Sequence, residues 1–359
     1  MCDLLFEKEL AVRRDTPQLP RRAAAAGAPR PHGSTLVGIA AEAGVSVSAV
    51  SKVLNGRTDV AAGTRARIAG LLRHHGYQVA SRLGFGVVDL LIASLHGPWA
   101  EELLRGTVEA AAEVGVSVVV TPVDSSAEFT RWFDQATARG TDGALCVLHL
   151  PGSRELQRMA AAEIPLVLID PPEEPAEDVL SVGTTNWQGG MTATRHLIEL
   201  GHRDIATIGG PEAFWSSRAR LAGYHSALQA AGLPVAADLV RRDEFSAPGG
   251  RAQAEHLLDL PRRPTAIVAG NDSQAFGVLQ ALGARGLRCP ADVSVVGFDD
   301  VAVASWATPA LTTIRQPLAA MAATGFRMLR THPAAGSEPH HVELATTLVV
   351  RDSTAPPRP

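Results

Sequence analysis

Cysteine is scarce in this chain. Its three residues, Cys2, Cys146 and Cys289 in 359 positions, stand far apart with no CxxC spacing, which argues against a disulfide framework or a zinc module. No charge-free run of about 18 apolar residues occurs, so no membrane span or membrane partner is expected. The N-terminal stretch carries Arg13, Arg14, Arg21 and Arg22, but no uninterrupted apolar segment leads from them to a small-residue cleavage site. A secretory signal is therefore not expected, and a cytoplasmic location is. Catalytic signatures are missing too: GxSxG, HExxH, a P-loop and GxGxxG are absent, and GFGVVD at Gly84 lacks the third glycine and precedes a strand. Nothing in the sequence calls for a metal or a cofactor.

What is present is an ordinary globular composition, 46% hydrophobic and 19% charged, in a chain long enough for two or three domains. The net charge of −4 hides an asymmetry. Residues 1–84 hold 12 Lys and Arg against 6 Asp and Glu, a balance of +6, while the remainder stands at −10. A small basic head on an acidic body leaves such a footprint, as does a solvated basic tail.

Residues 1–33 mix Arg, Ala and Pro without an apolar period and read as a disordered extension. From Ser34 short helices follow closely. Leu36, Ile39, Ala40 and Ala43 share one face, Gly44 breaks the helix, and Val47, Val50, Val53 and Leu54 resume the period after Ser46, a good N-cap. A third helix is predicted over Thr64–His75. The second helix exposes small residues, Ser48, Ala49 and Ser51, beside Lys52, a face able to approach base edges in a major groove. Spacing alone also permits a generic helical hairpin.

After Tyr77 the regime changes to apolar strands alternating with helical periods, in two successive sets. Strands apolar throughout and separated by helices mean parallel sheets covered on both faces. Ligands of such folds sit beyond the carboxyl ends of the strands. Arg315–Pro359 holds one helix, Leu318–Arg330, and a final strand, ATTLVVR, so it is expected to cross back between the two sets. Asp299 and Asp300 adjoin at a strand end and should point apart, which makes ligand binding or turn chemistry a better reading than a shared acid and base.

GVSVSAVSKVLNG, followed by TRARI and HHGY, resembles the DNA-binding head of the lactose-repressor (LacI/GalR) family of bacterial transcription factors. The similarity continues in order through PWAEELLRGTVEAA, IPLVLID, HLIELGHRDIATIGGP, RLAGYHSAL, VAGNDSQAFGVL, VSVVGFDD and LTTIRQPL, from Thr35 to Ser353. It implies a small all-α helix-turn-helix head on an α/β body of two doubly wound parallel-sheet subdomains of periplasmic-binding-protein type. The expected divisions are 34–76 for the head, 77–86 for a hinge and 87–359 for effector binding and dimerisation. The N-subdomain takes about 87–184 and 316–344, and the C-subdomain about 185–315 and 345–359.

Carried over position by position, the resemblance gives Val47, Ser48 and Lys52 the reading of bases, with Ala49 on the same face. Thr35, Ser51 and Asn55 take phosphates, while Val50, Val53 and Leu54 go to the core. Leu83 takes the place of an apolar wedge in the minor groove, or packs on the body. The segment after Tyr77 departs from the family by lacking its Pro-Asn pair and running about three residues short, Ala61 replaces a capping Ser, and Gly38 replaces an acidic residue. Effector contacts are implied at His96, Trp99, Asp170, Arg220, Phe245, Asn271, Asp299 and Leu318. For a sugar this set is coherent: Trp99 and Phe245 stack on a ring, and Asp170, Arg220, Asn271 and Asp299 hydrogen bond hydroxyls. Each has a structural alternative, Trp99 as core, Arg220 in an ion pair, Asp170 and Asp299 as turn caps.

The expectation is a nucleoid-associated regulator that binds a palindromic operator in double-stranded DNA as a homodimer. It is expected to repress carbohydrate-use genes until a mono- or oligosaccharide releases it; whether the effector releases or recruits DNA stays open. A sugar-binding transport protein or sensor would share the body but not the basic head. A carbohydrate-active enzyme would need an acid and a base across the cleft, which the sequence does not offer.

Overall fold

The computed structural model describes residues 35–54, 60–75, 77, 86–95, 97–331 and 341–358. The expected extension and nearly all of the hinge lie outside them. The described residues fall into two compact units, one within the first 78 residues and one from residue 79 onward.

In the first unit Thr35 opens helix α1 (Leu36–Ala43), its hydroxyl accepting the Gly38 N–H at 3.3 Å. Gly44 ends it at φ 62°, a conformation glycine adopts without steric cost. Ser46 caps α2 (Val47–Leu54) by accepting the Ala49 N–H at 3.2 Å. The chain turns through 109° between these helices, within the roughly 90–120° of helix-turn-helix units. The third helix, α3 (Ala62–His74), starts two residues before the predicted Thr64. Ile39, Ala40, Ala43, Val50, Val53, Ile68 and Leu72 form the buried core. His75, placed by its position at the end of α3, also reaches Glu42 of α1 at 2.8 Å.

The second unit holds two lobes. In the N-lobe, β1 (Val87–Ile92), α4 (Pro98–Ala112), β2 (Ser117–Pro122), α5 (Ser126–Arg139), β3 (Gly143–Val147), α6 (Ser153–Ala161), β4 (Leu166–Ile169) and β5 (Ser181–Thr184) follow in turn. The C-lobe continues with α7 (Asn186–Glu199), β6 (Ile205–Gly209), α8 (Trp215–Ala230), β7 (Val240–Arg242), α9 (Ala247–Leu258) and β8 (Ala266–Ala269). It closes with α10 (Asp272–Ala284), β9 (Ser294–Asp299), α11 (Ala302–Trp306) and β10 (Thr312–Arg315). The chain then returns to the N-lobe as α12 (Leu318–Thr331) and β11 (His341–Leu344), and ends in the C-lobe with β12 (Thr347–Val349).

The two sheets share one strand order, β2-β1-β3-β4-β5-β11 and β7-β6-β8-β9-β10-β12. Every pairing is parallel except β10 with β12. Both faces of each sheet are buried, as apolar strands require. In the N-lobe, Leu90 and Ile92 pack with Leu103 and Phe326 on one face, and Leu91 and Cys146 with Phe129 and Trp132 on the other. In the C-lobe, Ile208 and Ile267 meet Leu257 and Val278, while Ile205 and Phe298 meet Leu197 and Tyr224.

Three strands were not in the sequence reading: β7 in a stretch read as a charged turn, β10, and β11. All are three or four residues long and carry polar or charged side chains, so none shows an apolar run. Three crossings join the lobes, and they bond to one another. Thr184 Oγ1 donates to Gln316 Oε1 at 2.7 Å, and the Thr346 N–H donates to Thr185 Oγ1 at 2.9 Å. Among the described residues no single helix is long and apolar enough to cross a membrane.

Candidate functional site

The carboxyl ends of β4, β8 and β9 bring Asp170, Asn271 and Asp299 toward one another, and α8 supplies Arg220 among them. The guanidinium is placed by backbone packing. A Cβ on Gly190 would lie 2.2 Å from the Arg220 carbonyl oxygen and one on Gly223 2.1 Å from that of Trp187, so α7 and α8 touch main chain to main chain. From there Arg220 Nε donates to Asn186 Oδ1 at 2.8 Å and Nη1 to the Gly270 carbonyl at 2.7 Å, with Asp299 Oδ1 at 4.0 Å. The guanidinium lies over the Phe298 ring at 3.8 Å and 5.7 Å from the Phe245 centroid, both within cation–π reach.

Arg220 is 9% exposed, and three carboxylates share its surroundings: Asp170 at 7%, Asp299 at 5% and Asp272 at 0%. One cation does not neutralise three buried carboxylates. Burial pushes Asp299 up to about 7, against the pull of Arg220 and of Gln316, whose Nε2 donates to Asp299 Oδ1 at 2.6 Å. Burial likewise raises Asp170, against the charge of Arg220. Burial raises Asp272 well above the usual carboxylate range, Asp299 adding to it, although Thr313 Oγ1 and the Val301 N–H donate to Asp272. Arg220 itself is lowered by burial, which its three carboxylates oppose. Asp170 and Asp299 also hold left-handed backbone, φ 48° and 121°, a strain of about 1–3 kcal/mol per residue that concentrates at functional sites.

Among the described residues no hydrogen bond engages the Asp170 carboxyl group or Arg220 Nη2. A fixed donor fork therefore faces acceptors across a cleft between the lobes, an arrangement suited to neighbouring hydroxyls. Asp300 turns away from this group, accepting from Arg315 Nε and Arg351 Nη2 at 2.6 Å each. The adjacent pair thus points apart, as expected from sequence.

Of the effector residues implied by sequence, the structure brings together Asp170, Arg220, Phe245, Asn271 and Asp299. Asn271 is also the N-cap of α10: its Oδ1 accepts the Gln274 N–H at 2.8 Å and its Nδ2 donates to the Phe245 carbonyl at 3.3 Å. Trp99 and Leu318 make no hydrogen bond, ion-pair or ring contact with this group among the described residues. Leu318 is buried in the N-lobe cluster with Leu103 and Phe326, and Trp99 packs against the same cluster. An apolar residue in the first turn of a helix that covers a sheet is drawn toward the core, which is the structural alternative already open for Trp99. His96 lies outside the described residues. Sequence reasoning missed Asn186, Gln316 and Phe298. Asn186 opens α7 outside any quoted motif, whereas Gln316 lies within LTTIRQPL, a segment of the resemblance that could have flagged it.

In the first unit Val47, 41% exposed, and Ser48 stand out from the first turn of α2, with Ala49, Ser51 and Lys52 half-buried behind them. Thr35 serves as the N-cap of α1. Val50 and Val53 are core, as predicted, and Leu54 is half-buried. Asn55 and Leu83 lie outside the described residues.

Residues 35–79 match the bacterial regulatory proteins of the lacI family, and residues 194–354 the periplasmic binding protein-like domain. The ribose operon repressor of Escherichia coli (strain K12) is 33% identical over 295 residues, covering 79% of this chain and 88% of the repressor. A transcriptional regulator CelR–cellobiose complex superposes with a TM-score of 0.68 at 32% identity, covering 89% of this chain and all of that one. The lac repressor dimer bound to operator and the anti-inducer ONPF superposes with a TM-score of 0.67 at 28% identity, covering 90% and 100%.

Proposed function

The chain belongs to the lacI family of bacterial regulatory proteins, DNA-binding regulators and not enzymes, and from that premise we propose that it is a sugar-responsive repressor of carbohydrate-utilisation genes. In this reading two copies bind a palindromic operator, since one head contacts too few base pairs for useful affinity. Val47, Ser48 and Lys52 read base edges from the first turns of α2, with Ala49 allowing close approach, and Thr35 and Ser51 fix register on phosphates. The sugar sits between the lobes, its hydroxyls on Arg220, Asp170, Asn271 and Asp299 and one ring face on Phe245. Closure of the lobes around it releases the operator, which needs a coupling of about 1–3 kcal/mol.

The observation that carries the effector half is the Arg220 fork, anchored by Asn186 and Gly270 and facing the unbonded Asp170 carboxyl. The cellobiose named with the similar CelR and the ribose operon of the related repressor support a carbohydrate as its ligand class. The operator named with the lac repressor supports duplex DNA for the head. A gel-shift titration at fixed salt, using palindromes beside the protein's own gene and random duplex, tests both halves. The expected result is preference for one palindrome, lost in the Lys52→Ala variant and reversed in the parent by a sugar. Equal binding of palindrome and random duplex, with and without sugars, would refute the reading.

A further inference from the structure

Beside the Arg220 fork lies a cavity of about 270 Å³, between the first turns of α7 and α8 and the edge strand β11. Asp170 and Asn186 line it, and Asn186 is the residue that accepts from Arg220 Nε, so the cavity begins one side chain away from the guanidinium. Its far wall is aromatic. The Trp215 indole stacks on the His341 imidazole, centroids 6.3 Å apart and planes 15° apart, and Trp187 presents an indole that is 39% exposed. The shelf is fixed across the two lobes, because the Trp215 main-chain N–H donates to the Pro172 carbonyl at 2.6 Å and His341 Nδ1 pairs with Ser181 Oγ at 2.8 Å.

The lining decides the ligand class. Two carboxylates, Asp170 and Glu343, stand in it and no Lys or Arg does, so its charge opposes a phosphate or a carboxylate. Flat indole surface beside the amides of Asn186 and Gln188 suits a neutral ring whose faces are apolar and whose edge is hydroxylated. The volume falls just under the roughly 300–1,000 Å³ of whole ligand sites, room for one more unit of a ligand already anchored next door. Asp170, nine-tenths buried and with no hydrogen bond to its carboxyl group among the described residues, stands between the cavity and the Arg220 guanidinium.

We propose that this cavity is a second saccharide subsite, so that the effector is a disaccharide or longer glycan with one ring at Arg220 and the next on the Trp215–His341 shelf. The inference rests on the reading of the cleft as a sugar site and deepens it. Isothermal titration of the full chain tests it with matched pairs: glucose with cellobiose and with maltose, galactose with lactose, xylose with xylobiose. One disaccharide is expected to bind about tenfold or more tighter than its monosaccharide, the value of one good aromatic contact. Trp187→Ala and Trp215→Ala are expected to remove most of that advantage with little change for the monosaccharide, and Trp215→Phe to keep part of it. Should Trp215→Ala fail to fold, Trp187→Ala, at an exposed position, decides alone. A monosaccharide that binds as tightly as its disaccharides, or variants that weaken both equally, would overturn the subsite and leave the sugar reading standing. Binding of no sugar of either length would overturn both.

Discussion

The two lobes of the body have the same strand order and the same burial on both sheet faces, yet they contribute unequally to the cleft. The C-lobe supplies Arg220, Asn271, Asp299, Phe245 and the Asn186 that orients the guanidinium, whereas the N-lobe supplies Asp170. Helix packing separates them in kind as well. In the C-lobe α7 and α8 meet through two glycines, Gly190 and Gly223, while the N-lobe pair α4 and α12 meets at one, Gly106 against Ala319. One architecture therefore carries two unlike inner faces: the C-lobe holds a preformed polar cluster, and the N-lobe adds the Asp170 carboxyl to it.

The sharpest test of that inequality compares Arg220→Ala with Asp170→Asn. Removing the cation from among three buried carboxylates is expected to weaken sugar binding about 100-fold or more, and the N-lobe change about tenfold. Calorimetric titration reads both, with operator binding retained in each, and equal losses would break the comparison.

A smaller effect is expected from Gly223→Ala and Gly106→Ala. The added methyl would lie 2.1 Å from the Trp187 carbonyl oxygen in one and 2.5 Å from Ala319 Cα in the other. Each is expected to destabilise the body by about 1–3 kcal/mol in urea unfolding. Only Gly223→Ala should also lose sugar affinity, because a shift of α8 carries Arg220 with it.

The smallest effect is a pH dependence. Folding holds the Asp299 carboxyl above its ordinary value near 4, so its contribution to stability is complete below that pH and is lost as pH rises through about 7. Asn at this position imitates the protonated acid. Asp299→Asn should therefore gain in melting temperature relative to the parent between pH 4 and 7, and a constant difference across that window would show that the carboxyl is not strained by burial.

Most of this fold is legible in the residues. Strands such as VVDLLIAS and VSVVGFD, apolar on both faces, can lie only in covered parallel sheets, and Gly44 and Ser46 mark the turn of the head through their own backbone chemistry. Of the strands that escaped notice, VRR and HVEL are sheet edges with no buried residue, and TTIR is mostly buried but begins with two threonines that hydrogen bond, so none requires an apolar run. The site divides similarly. Arg220 and Asp299 could be read by resemblance, and Gln316 lies in the matching segment LTTIRQPL, but that Asn186 and Gln316 bond to them is set by how two helices and three crossings meet. Resemblance transfers positions and not packing, so the burial of Leu318 and the packing of Trp99 on the N-lobe cluster become visible only in the structure.

The stretch from His341 to Val349 is the outermost strand of one sheet and, after Ala345 and Thr346, the outermost strand of the other. During synthesis, then, neither lobe attains its full complement of strands until this stretch has left the ribosome, long after the helices of the head have emerged. A nascent chain halted before residue 341 would carry a complete head but two bare sheet edges open to foreign strands.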